Sequence, residues 1–245
     1  MTLNQQIEHN PDDAYLLIKR AQELIQEDKA YQKAKADLEK ARKLGANESS
    51  SHEFNFVTGL WHQYQDQWAE AADAFSRCIE MDTNHLQCHR GLAEIRLAQK
   101  DPHGAIEVLT RLIKSSEAAQ TDDYFHLAQL LEQQGKPAEA LKYLDQAQAR
   151  FGALPHFEKY AIKIELSQNH LDKALRRHQS LEPYFGKTPQ WQYDLGVLFQ
   201  KAGKPAEARS AFEKALALLE KLKSKTSDAS AKLQQEIRDR LAALD

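Results

Sequence analysis

The chain has 245 residues, 42% hydrophobic and 28% charged, the balance of a folded, water-facing protein, which excludes a disordered or fibrous class. Thirty-three Lys and Arg stand against thirty-six Asp and Glu, a formal charge of −3, so no strong field draws the chain to phosphates and bulk nucleic-acid binding is disfavoured. Nine Gly and seven Pro leave few tight turns, which argues for helices over a many-stranded sheet. The opening residues, MTLNQQIEHNPDD, have no basic region followed by an apolar core, and no later apolar run approaches the roughly 18 residues of a membrane helix. Residues 1–14 therefore read as a lead-in, and no membrane insertion is expected. As given, the sequence reads as cytoplasmic; a periplasmic or cell-envelope location is the alternative if a signal peptide has been removed.

From the lead-in onward the sequence repeats. Alanines recur at Ala34, Ala71, Ala105, Ala140, Ala174 and Ala208, at intervals of 37, 34, 35, 34 and 34. Four residues after each stand Leu38, Phe75, Leu109, Leu144, His178 and Phe212, and three further on Ala41, Cys78, Leu112, Ala147, Leu181 and Ala215. This spacing places each set on one helical face, so every unit has an amphipathic second helix. Twelve residues before each alanine come Gln22, Gly59, Ala93, Ala128, Ile162 and Gly196, mostly small, and small residues let two helix backbones approach. Turn signals separate the two stripes: QKDPHG at 99–104, QQGKP at 133–137, SQNHL at 167–171 and KAGKP at 201–205. Gly135 and Gly203 fit the left-handed residue that ends a helix, and Pro137 and Pro205 the first turn of the next. After residue 222, Ser227 or Asp228 can cap a last helix carrying Leu233, Ile237, Leu241 and Leu244, a lid over the end of the stack.

The 34-residue unit, the small and large marks and the repeated GKPAEA string resemble the tetratricopeptide repeat (TPR) family. Six units cover 15–48, 52–85, 86–119, 121–154, 155–188 and 189–222, with 223–245 as the capping helix. Units four and six match best. Unit one has Gln22 where the others are mostly small, and unit five departs from the pattern at Ile162 and His178. The resemblance implies an all-α, right-handed α-solenoid, similar to small bacterial members of the family, in which the first helix of each pair lines a concave groove. By phase, the groove candidates are Phe56, Leu60, Tyr64, Arg90, Phe125, Gln129, Lys159, Lys163 and Tyr193, with Lys19, Glu23, Val197 and Gln200 in equivalent places. The family's Lys/Asn clamp for chaperone carboxylates is not expected, since Glu23 follows Lys19 by four and Asn55 and Arg90 do not complete the set. The aromatics instead offer apolar anchors for a peptide, and the cations pair with its acidic groups, although each aromatic has a core role as its alternative.

The expected function is a non-catalytic protein–protein interaction scaffold that binds a partner peptide or protein segment, as a monomer or weak homo-oligomer. A self-associating structural spacer is the alternative, with helical-repeat RNA binding a distant third. No cofactor is expected, no metal and no enzymatic activity: no nucleophile–base set, HExxH string or phosphate loop is present, and the two Gly-Lys pairs precede Pro and read as turns. His85 and His89, four apart beside Cys88, read as a solvated loop-to-helix pair, and His178 as a hydrogen-bonded core residue. Cys78 and Cys88 lie symmetrically about Thr83. A tight turn there could bring them face to face for a disulfide in an oxidising compartment; otherwise they are buried thiols.

Overall fold

A computed structural model describes residues 1–27, 29–222 and 228–244. Among them are fifteen helices, α1 to α15, and no strand. The chain divides into two compact units, residues 1–135 and 136–245.

In unit 1 a short α1 (Leu3–His9) precedes three helical hairpins and a final helix. The hairpins are α2 (Ala14–Gln26) with α3 (Tyr31–Lys43), α4 (His52–Gln63) with α5 (Trp68–Met81), and α6 (Leu86–Ala98) with α7 (Pro102–Ser115); α8 (Thr121–Gln133) follows. First helices pack on first helices, α2 on α4 and α4 on α6. Unit 2 begins with α9 (Pro137–Phe151), continues with the hairpin α10 (Pro155–Ser167) and α11 (Leu171–Ser180), and adds the one-turn α12 (Glu182–Phe185). The hairpin α13 (Pro189–Lys201) and α14 (Pro205–Lys221) then leads to α15 (Asp228–Ala242). Each unit is thus a pile of helix pairs of the α-solenoid class. The sequence pattern carries no sign of α1 or α12, both too short for a 3.6-residue period to show.

The stripes of the second helices bury throughout. Ala34, Leu38 and Ala41, and their equivalents through Ala208, Phe212 and Ala215, are all buried. Packing is tight around Phe75, whose ring lies against both Gly59 and Gly91. A Cβ on Gly59 would stand 2.6 Å from that ring and one on Gly91 2.8 Å, so only glycine lets α4 and α6 close on it. In unit 2, Phe212 meets Gly196 in the same way at 2.5 Å.

The turns after α2, α4, α6, α8, α10 and α13 each pass through one left-handed residue: Lys29, Asp66, Lys100, Gly135, Asn169 and Gly203. Only two of the six are glycine. Helix starts are set locally, by Asp13 accepting from the amides of Tyr15 and Leu16, Ser51 from Phe54, Asp101 from Gly104 and Thr188 from Trp191, while α9, α10 and α14 begin with Pro.

Charged side chains tie the helices together. Arg20 grips Asp37 with two bonds of 2.7 and 2.6 Å, and Arg90 on α6 grips Asp123 on α8 at 2.7 and 3.1 Å. In unit 2, Arg177 on α11 holds Asp145 on α9 at 2.8 and 3.0 Å and Glu158 on α10 at 3.1 Å. Burial works against its charge, but the carboxylates of Asp145 and Glu158 outweigh it and keep the guanidinium pKa above its ordinary value. Ile237 of α15 is fully buried, with Leu233, Leu241 and Leu244 packed around the same cluster as Phe212 and Leu219, which closes the end of unit 2. Asp228 opens that helix; Ser227 lies outside the described residues.

Candidate partner-binding site

Unit 2 encloses a pocket of about 630 Å3, a size typical of ligand-binding clefts. Its walls come from α10 (Ile162, Leu166), the α11–α12 corner (Leu181, Phe185) and α13 (Trp191, Val197, Leu198); Lys159, Lys201 and Arg240 supply cations and Asp194 a carboxyl.

His178 explains why space remains there. At the position where other second helices carry Leu or Phe, its ring stacks on Trp191 at 4.9 Å. Its Nε2 donates to the Trp191 carbonyl at 3.0 Å, which fixes the tautomer, and the Trp191 indole donates back to the His178 carbonyl at 3.2 Å. Burial holds this imidazole below its usual pKa, so it is neutral near pH 7. On the facing helix, Ile162 occupies the small-residue position and also lines the pocket. The two departures from the repeat pattern thus meet at one place.

Several polar groups of the pocket are held by neighbours. Gln190 donates to Asp194 at 2.9 Å, yet burial keeps the Asp194 carboxyl above its normal range. Lys159 Nζ sits 4.2 Å over the Phe185 ring. Arg240, reaching in from α15, donates to the Tyr193 hydroxyl at 3.0 Å and to Gln200 at 2.9 Å. The lining has no serine or cysteine, and its threonine, Thr188, donates its hydroxyl to the Phe185 carbonyl at 2.7 Å. The site is an apolar trough with a cationic rim and one carboxyl.

Of the groove residues expected from phase, Lys159 and Tyr193 both line this pocket. Lys163, one turn along α10, is exposed, with its ammonium 5.3 Å from the Tyr160 ring centroid. In unit 1, Phe56 is largely buried and lines a recess of about 390 Å3 with Tyr15, Lys19, Val57 and His85. Leu60 packs against the core, and Tyr64, 47% exposed, stacks on Tyr31 at 5.9 Å. Phe125 and Gln129 are half-buried on α8.

Arg90 differs from the free cation expected: its Nε and Nη2 donate to Asp123 and Gln120, so it also ties the first helices α6 and α8 together. Asn55 likewise faces inward and donates to the Glu48 and Ser51 carbonyls. The solvated pair read at His85 and His89 is also corrected: His89 is fully buried, with Nε2 3.0 Å from the Thr83 carbonyl. His178 is the hydrogen-bonded core residue expected.

The pocket residues missed by the phase reading include Phe185, Trp191, Asp194, Lys201 and Arg240. Lys201 follows Val197 by four, so the helical step was available. Arg240 becomes visible only when α15 folds back.

No curated protein matches the chain significantly. Among solved structures, the C-terminal part of a TPR repeat-containing protein from Cytophaga hutchinsonii superposes with a TM-score of 0.66 at 14% identity, over 94% of this chain and 91% of that one. MamA gives 0.53 at 18% identity, over 72% and 96%. YrrB, described as a TPR protein with an unusual peptide-binding site, gives 0.50 at 13% identity, over 98% of both chains. At these identities the likeness concerns the fold. Tetratricopeptide repeat models match the sequence over residues 58–123, 124–150 and 160–222, more than half of its length. With matching period, packing marks and helix pairs, the chain belongs to the tetratricopeptide repeat family.

Proposed function

We propose that the chain is a non-catalytic protein-interaction scaffold, and that the unit 2 pocket takes a partner segment carrying an apolar side chain beside an acidic group. The observation that carries this reading is the pocket itself: apolar walls deep enough for an anchor, with Lys159, Lys201 and Arg240 around them. A rim of this kind attracts acidic segments and fixes their register. Because α11 packs against both α10 and α13, the receptor need not order itself on binding. Peptide binding in a member of the same fold class, YrrB, supports the general mode.

The test is calorimetric titration of short acidic peptides bearing Leu, Phe or Trp. Lys159→Glu with Lys201→Glu is expected to weaken binding about tenfold or more and to flatten its salt dependence. Equal affinity in wild type and double variant would remove the pocket from the function. Light scattering that rises with protein concentration, with no peptide bound, would favour the self-associating spacer.

A further inference from the structure

Unit 1 contains a side-chain cluster unrelated to the pocket. Cys78, in the last turn of α5, and Cys88, in the first turn of α6, are joined as a disulfide with Cα atoms 6.3 Å apart. His85, the N-cap of α6, stands beside them, and both sulfurs and a ring nitrogen of His85 lie within 4.8 Å of one another. The imidazole is held in place: Nδ1 accepts from the Cys88 amide at 3.3 Å, and the ring packs 5.0 Å from Phe56 and 5.6 Å from His52. Both cysteines are fully buried, whereas His85 is half-buried, so the cluster has a dry sulfur side and a wet nitrogen side.

We propose that when the Cys78–Cys88 bond is reduced, Cys78, His85 and Cys88 together bind one Zn2+ ion, so that disulfide and metal are alternative, mutually exclusive states of one site. Two thiolates and an imidazole form a ligand set suited to a thiophilic d10 cation, and the wet side leaves the fourth tetrahedral position to water. Two thiolates neutralise the ion, which lowers the cost of holding it beside a buried seam. The N-terminus of α6 favours the thiolate at Cys88. Binding Zn2+ releases the two thiol protons.

Conversion to the disulfide consumes a two-electron oxidant, here a small-molecule disulfide RSSR. The Cys88 thiolate attacks one sulfur of RSSR, breaks its S–S bond and expels RS−. The Cys78 thiolate then attacks the Cys88 sulfur of the mixed disulfide and expels a second RS−. Two cysteines are oxidised, RSSR is reduced to two thiolates, and Zn2+ leaves with its charge unchanged. Either state cross-links α5 to α6, so the seam between consecutive hairpins is tied under reducing and oxidising conditions alike.

Co2+ serves as the optical probe, titrated into the full chain after reduction and removal of reductant, with the oxidised chain in parallel. One Co2+ per reduced chain is expected, with thiolate-to-cobalt charge-transfer absorption that Zn2+ abolishes, and no uptake by the oxidised chain. Cys78→Ser and Cys88→Ser are expected to lose the band. His85→Asn keeps a good helix cap while removing the ligand nitrogen, and is expected to weaken binding about tenfold or more with unchanged circular dichroism. The absence of a band in the reduced chain, equal uptake by the oxidised chain, or a His85→Asn titration superposing on wild type would overturn the proposal.

Discussion

The two units solve the same packing problem differently at the same repeat position. In unit 1 the second-helix mark is Phe75, and glycines on both α4 and α6 let its ring pack closely against both helices. In unit 2 the equivalent mark at α11 is His178, which stacks on Trp191 and faces a helix carrying Ile162, and the space left over is the pocket of about 630 Å3. Unit 1 adds a disulfide across its α5–α6 seam, whereas unit 2 is joined by the polar fork of Arg177. A repeat fold therefore gains a cavity by leaving one large-on-small pair unmade, and the residues that break the pattern mark where to look.

The comparison is broken most strongly by opening the filled seam. Phe75→Ala leaves a void between two glycines that cannot move in to fill it, and is expected to destabilise unit 1 by about 3–5 kcal/mol. Hydrogen exchange should show lost protection in α4 to α6. Reducing the Cys78–Cys88 bond in the presence of a chelator comes next. It releases a short loop, a sequence separation of 10, and is expected to cost about 2–3 kcal/mol, read from the denaturation midpoint of unit 1 peptides. Unchanged protection on reduction would show that the seam holds without the cross-link.

Acid should act on unit 2 through its pocket. Burial holds His178 below 6.5 in the folded chain, while the unfolded imidazole titrates near that value. As pH falls through 6.5 the unfolded state takes up a proton that the folded state refuses. Stability that is complete above 6.5 is thus lost progressively below it. His89, buried in unit 1 and also shifted down, adds the same sign there, so His178→Phe should remove only the part of the pH dependence seen in α11 and α13. The same variant restores an apolar second-helix mark, and a smaller pocket with weaker peptide binding is the expected companion result. Asp194, shifted upward by burial, has the opposite sign: it favours the folded state at acid pH and opposes it as pH rises past its folded pKa. Asp194→Asn is expected to raise the unit 2 midpoint at neutral pH, a gain that disappears in acid.

The smallest effect expected is at a turn. Lys100 adopts φ 60° where Gly135 and Gly203 do so freely. Lys100→Gly relieves the side chain's strain but gives the unfolded chain more freedom, so a net gain of at most about 1 kcal/mol is expected from equilibrium unfolding.

Several elements were legible because they repeat. The second-helix stripe from Ala34 to Ala215, the left-handed Gly135 and Gly203, and the apolar face of α15 all follow from local spacing, since a helix puts i and i+4 on one face wherever it lies. The turns holding Lys100 and Asn169 were legible, but their left-handed residues, like Asp66, were not, because a hairpin of fixed register imposes that conformation on whatever residue stands there. The tie from Arg90 to Asp123 spans 33 residues, nearly one period, and opposite charges one period apart on first helices were a usable signal. Charge alone could not distinguish a cation held by its own protein from one left for a partner.

The spacing of apolar and small residues was enough to determine the class of fold, the helix pairs and the buried faces, because those depend on interactions within a turn or two of helix. Tertiary structure alone decided that Cys78 meets Cys88 beside His85, and that Ile162, His178, Asp194 and Arg240 share one pocket. Those meetings depend on how closely one hairpin approaches the next, a distance set by the fit of whole side-chain volumes across the seam.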